Sequence, residues 1–243
     1  MPYRRLPNTD SARLKALKIA IEKGTDLPPF KLAYSQSTFQ KIRADLPGYE
    51  NALSEHKNSY NIQLEKSKDH NKAMKKVRLY ISHFIQVINM AILRGELPQN
   101  TRDFFQLEED EKKLPSLNTD EDIILWAEKL LKGAQERRMK GLSPITNPTI
   151  AVVKVQYDKF SEAKLYQQGL KKRYLRAQKN LNARKDEADT NTQHLWNEVE
   201  DTFKELPEEL RREKASEYGV VYVFRKNEIG NINLLKASHV SIG

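Results

Sequence analysis

The 243-residue chain contains no cysteine. It therefore has no disulfide framework and no thiolate metal site, which fits a reducing compartment. Glycine and proline are scarce, at 9 and 10 residues, while charged residues make up 31% of the chain, a balance typical of helical and coiled-coil proteins rather than disordered ones. No two glycines stand close enough to cradle a phosphate, and no serine sits in a strand-to-helix elbow. No stretch approaches the ~20 apolar residues needed to span a bilayer, and Met1 to Arg5 leads into no apolar signal core. These absences argue against an enzyme and predict a cytoplasmic protein. Hydrophobic residues reach only 38%, which is low for a globule of this length and favours long helices with narrow apolar stripes. The formal charge is +9, which raises the expectation of a polyanionic partner.

What is present reads as two copies of one unit. Asn8, Thr9, Asp10 returns as Asn118, Thr119, Asp120. Tyr49 matches Phe160, Leu64 matches Leu175 and His83 matches His194 at an offset of 111, while Leu97, Pro98, Arg102 match Leu206, Pro207, Arg211 at 109. Self-similarity over such a period points to repeat architecture.

In the first copy, residues 9–23 read as a short helix capped by Thr9 or Asp10 and stopped at Gly24. Its counterpart covers 119–140, with Asp122 in the capping-box position and a stop at Gly133 or Gly141. Proline-bearing linkers follow, with Pro28 and Pro29 in one and Pro144 and Pro148 in the other. Each then leads to a long element, about 37–95 and about 148–206. Steps of three and four run through Tyr49, Leu53, His56, Tyr60, Leu64, Ser67, Asn71, Met74, Arg78, Ile81, Ile85, Ile88, Ile92, and the same rhythm returns through Val153, Tyr157, Phe160, Ala163, Gln167, Leu170, Tyr174, Ala177, Leu181, Arg184, Ala188 and on to Leu195, Val199, Phe203. The alternative is a hairpin within each copy. Its turns would fall near Lys66 to Lys72 and Lys185 to Gln193, which do not align under the offset, so the spacing favours continuous helices of about 70–85 Å. Polar residues on the seam, such as Ser67, Asn71, Arg78, Gln167 and Arg184, are expected to set register and partner choice. After Gly219, the run Val220 to Phe224 reads as a strand, with Ile232 to Leu235 as its return in a small hairpin.

Tyr3 to Asp10, Ser82 to Ala91 and Tyr218 to Val223 resemble an uncharacterised family of bacterial helical proteins. The resemblance spans nearly the whole chain and implies an all-helical, cytoplasmic bacterial protein. It carries no activity.

Among residues that carry chemistry, His83 and His194 occupy equivalent positions and are the candidates for a metal or acid-base site. Helical metal sites place a Glu three residues before the His, and here Leu53, Ser67, Tyr80, Asn191 and Lys236 stand in those places. Glu198 follows His194 by four, but Val87 follows His83, so no metal and no cofactor is predicted. Acidic groups at Glu108 to Glu111 and at Glu198, Glu200, Asp201 read as solvated. Basic residues are the stronger signal. Lys171 to Lys185 contains no acid, Lys172, Arg176, Lys179 share a helical face, and Lys68, Lys72, Lys75 recur at related spacing in the first copy. If the long helices pair antiparallel, the two basic faces converge and offer contacts to phosphates. Trp126 and Trp196 read as core anchors.

The sequence thus predicts an all-α fold, an elongated antiparallel helical bundle or coiled coil of two tandem repeats with a small β-like C-terminal hairpin. The repeats occupy 1–110 and 111–217 and the terminal segment 218–243, within one structural domain overall. The expected function is a non-enzymatic structural or protein-interaction module, binding itself or another protein. A nucleic-acid binder using Lys68, Lys72, Lys75, Lys172, Arg176, Lys179 is the alternative. No membrane partner and no small-molecule ligand are expected.

Overall fold

The structure is a computed structural model that describes residues 2–108 and 114–224. It is all-α apart from one short strand pairing. The elements are β1 (Tyr3–Arg4), α1 (Asp10–Asp26), a 3-10 turn (Pro29–Lys31), α2 (Gln36–Leu93), α3 (Thr101–Phe104), α4 (Asp120–Met139), α5 (Ile150–Thr202), α6 (Glu208–Ser216) and β2 (Tyr222–Val223). Both long segments are single helices, of 58 and 53 residues, with no turn in either polar stretch. Among the described residues, no helix is long and apolar enough to cross a membrane.

The chain divides into two compact units rather than one, and the division does not follow the repeat boundaries. The first unit combines Met1–Asn58 with Leu175–Gly243, and the second is Ser59–Tyr174. Each unit therefore takes half of α2 and half of α5, together with one of the capped helices α1 and α4.

In the first unit, Thr9 caps α1 by accepting from the Ala12 amide at 3.2 Å. The helix does not stop at Gly24 but runs on to Asp26. Gly24 is there for space, since a Cβ would collide with the Phe39 ring and lie 2.7 Å from the Tyr34 hydroxyl. The halves of α2 and α5 lie antiparallel, with Ser35 meeting Glu198 and Asp45 meeting Asn191. Leu17, Ala20, Ile42, Tyr49, Leu195, Trp196 and Val199 form the core between them and α1. Two charged contacts fix the cap region. Arg13 grips Asp189 with both branches, at 2.6 and 2.8 Å, and Tyr49 donates to Asp10 at 2.9 Å. The strand expected after Gly219 is β2, and its partner is β1, with Tyr3 opposite Val223 and Arg4 opposite Tyr222. The return segment Ile232 to Leu235 lies outside the described residues.

In the second unit, Thr119 and Asp122 form the capping box at the start of α4. Asp122 accepts from the Thr119 amide at 3.1 Å, and with the Ser116 hydroxyl and the Asn118 amide this holds its carboxyl below the ordinary range. Gly133 lies inside α4, and the helix ends before Gly141, whose positive φ of 68° supplies the left-handed exit. Here too the helix halves run antiparallel, with Tyr60 against Tyr174 and Ser67 against Gln167. Val77, Ile81, Phe84, Ile85 and Ile88 of α2 pack on Ile123, Ala127 and Leu130 of α4 and on Val153 and Phe160 of α5.

The seam drifts from its expected positions along the middle of α2. Tyr60 and Leu64 are half exposed, Asn71 is exposed, and Ser59, His70 and Val77 are buried instead. The buried set keeps a strict seven-residue step, His70, Val77, Phe84, Ala91, in phase with buried Tyr49, whereas the expected series takes two successive steps of four from His56 to Leu64 and so falls one residue out of phase. Of the two tryptophans, Trp196 is fully buried, whereas Trp126 is half-buried with Lys129 Nζ 4.5 Å above its ring.

Candidate functional site

His83 and His194 are both exposed, one in each unit. His194 Nε2 lies 3.3 Å from Glu198 Oε1. That carboxylate is already engaged in building the start of α2, because the Ser35 amide and hydroxyl each donate to it at 2.9 Å. Burial opposes the charged form of Glu198, but the Ser35 and Thr38 donors outweigh it and hold the carboxyl below its ordinary value. Glu198 is thus a capping residue that His194 happens to border. Among the described residues, no group of three His, Asp or Glu side chains is placed to hold a metal.

The buried histidine is one the sequence reading passed over. His70 is 5% exposed, its ring lies 5.6 Å from that of Phe160, and Nε2 stands 3.3 Å from Asp120 Oδ1. A seven-residue step through His70, Val77, Phe84 and Ala91, all buried, was the available signal.

All six of the basic residues named from the sequence are exposed. Lys68, Lys72, Lys75 and Lys172 belong to the second unit, Arg176 and Lys179 to the first. Neighbouring cations are neutralised, as Lys66 is by Asp69 and Arg184 by Glu187, but none of these six forms an ion pair among the described residues. Tyr166 is half exposed, and Tyr174 is turned onto Tyr60.

A second surface was not anticipated. Leu79, Met90 and Leu93 are 52%, 51% and 66% exposed on the C-terminal half of α2, and the exposed residues His83 and Gln86 complete the series between them. Steps of four, three, four and three place all five on one outward stripe of the helix. The core residues Val77, Ile81, Phe84 and Ile88 occupy the opposite face. The sequence reading followed only the inward periodicity of this segment, and the outward one was legible in the same residues. No protein-family profile, curated protein or solved structure matches this chain.

Proposed function

We propose that the protein is a non-enzymatic interaction module that pairs with a second copy of itself through the outward stripe of α2. The observation that carries this reading is the heptad-spaced set Leu79, His83, Gln86, Met90, Leu93, three large apolar side chains left in water along about 21 Å of helix. Isolated exposed hydrophobics are ordinary, but a stripe in coiled-coil spacing is the geometry of a helix that lacks its partner. The stripe is self-complementary. In an antiparallel pairing about a twofold axis at Gln86, Leu79 meets Leu93 of the other copy and His83 meets Met90. A cytoplasmic setting fits the absence of cysteine.

The test is light scattering across a concentration series on the native chain and on the double variant Leu79→Glu, Leu93→Glu. Both positions are solvent-exposed, so the fold should survive the change. The native chain is expected to have the mass of a dimer and the variant that of a monomer. A native chain that stays monomeric at every concentration contradicts the proposal.

The second reading is an electrostatic nucleic-acid binder, favoured by the exposed cations Lys68, Lys72, Lys75 and Lys172 of the second unit and Arg176 and Lys179 of the first, each of which forms no ion pair among the described residues. Binding of this kind loosens steeply with salt as counterions are released. A gel shift at low salt should weaken on Lys172→Glu with Arg176→Glu and vanish at high salt. Unchanged binding in that variant removes the reading.

A further inference from the structure

A cavity of about 400 Å³ lies in the second unit, among Phe84 of α2, Phe105 after α3, Ala134 of α4 and Ile145 in the connection to α5. Its size falls within the range of small-molecule sites, roughly 300–1,000 Å³, and its walls are mainly apolar, as the walls of such sites are. Two cations of α4, Arg137 and Arg138, interrupt that lining.

Arg137 is the unusual one, at 4% exposed. Its guanidinium donates to the Thr101 hydroxyl at 3.3 Å and to the Ser143 carbonyl at 3.1 Å, and it sits 5.6 Å from the centre of the Phe104 ring. All three neighbours are neutral. A guanidinium carries five N–H donors, and among the described residues the remaining ones have no partner and no carboxylate lies within ion-pair distance. Arg13 shows the usual solution, since Asp189 accepts from its Nε and Nη2 with both carboxylate oxygens and raises its pKa. At Arg137 burial alone acts, and it pulls the pKa down. Taking a cation out of water is unfavourable unless an anion meets it. The two hydrogen bonds tie the end of α4 to its surroundings, but neither acceptor, a hydroxyl and a carbonyl, calls for a charged donor.

We propose that this cavity binds a small apolar monocarboxylate, with its carboxylate on the Arg137 fork and its hydrocarbon body between Phe84, Phe105 and Ile145. The planar guanidinium matches a planar carboxylate in two parallel hydrogen bonds. A phosphate would expose further oxygens to an apolar wall that offers them nothing. Arg138, exposed at the rim, adds attraction for the anion as it enters. The inference is independent of the pairing proposed for α2.

Isothermal titration calorimetry on the full chain tests it, with decanoate and 1-naphthylacetate as probes and decanol and 1-naphthylacetamide as their neutral counterparts. Each carboxylate is expected to bind at least about tenfold more tightly than its neutral counterpart, and Arg137→Gln is expected to erase that preference. Ala134→Phe leaves Arg137 in place but fills the cavity, and it should abolish binding while the circular dichroism stays helical. If Arg137→Gln fails to fold, Ala134→Phe and the neutral probes still decide. The proposal is overturned if neither carboxylate binds the native chain, if acid and neutral probes bind alike, or if Ala134→Phe leaves binding intact.

Discussion

His70 Nε2 lies 3.3 Å from Asp120 Oδ1, at ion-pair distance, with the His70 ring against Phe160 of the second unit's apolar core. Asp10 stands in the matching place after its own cap and accepts from the Tyr49 hydroxyl at 2.9 Å. The two units thus solve one problem, the carboxylate at the start of a capped helix, with different partners. Asp120 instead has His70 Nε2 at 3.3 Å and Lys164 Nζ at 3.7 Å, and the Phe160 ring that packs on His70 brings no hydroxyl. Asp120→Ala leaves the imidazole buried without its charged neighbour. Urea unfolding should show a loss of about 1–2 kcal/mol, and an unchanged midpoint would count against the pairing.

Tyr34 gives a pH dependence of defined sign. Burial, with a smaller contribution from Tyr218, pushes its phenol from 10.0 up to about 12, against a lowering by the Gly24 backbone. The neutral phenol donates to the Ala20 carbonyl. A raised folded pKa means that the contribution is fully present below the unfolded value and is lost as pH rises through the folded one, here between about 10 and 12. Melting temperature measured across that window should fall steeply in the native chain. Tyr34→Phe should flatten the decline, and an identical slope in both proteins would refute the assignment.

Two glycines separate close packing from conformational freedom. A Cβ at Gly133 would strike the Phe104 carbonyl and lie 2.7 Å from the Phe105 ring, whereas nothing lies within 4 Å of one at Gly169. Gly133→Ala should therefore lose about 1–3 kcal/mol by overpacking. Gly169→Ala, in an open helix interior, should gain roughly 0.5–1 kcal/mol. Chemical denaturation of the pair decides it, and the same sign for both would contradict the packing described.

Much of this was legible in the residues. Thr9 and Thr119 announced both caps, and the unbroken three-and-four spacing announced α2 and α5 as continuous helices. Gly24 misled because glycine serves close approach as well as helix exit, and only the packed ring of Phe39 tells the two apart. His70 was missed because the expected series took two successive steps of four between His56 and Leu64 and so named Asn71, one residue past the buried seven-residue position. The pairing of Tyr3 with Val223 joins opposite ends of the chain, and no local pattern encodes it. Arg137 was illegible for a different reason. Arginine is mostly a surface residue, so its burial follows from the arrangement of α3, α4 and the turn that carries Ser143 rather than from periodicity.

The native absence of cysteine allows the most direct test of the proposed pairing. Gln86 lies on the outward stripe of α2 and, in the antiparallel register, faces its own copy across the twofold axis. Under mild oxidation at micromolar concentration, Gln86→Cys should form a disulfide-linked dimer rapidly, while Gln193→Cys, exposed on α5, should stay monomeric. A Gln86→Cys chain that crosslinks no faster than Gln193→Cys would contradict the account.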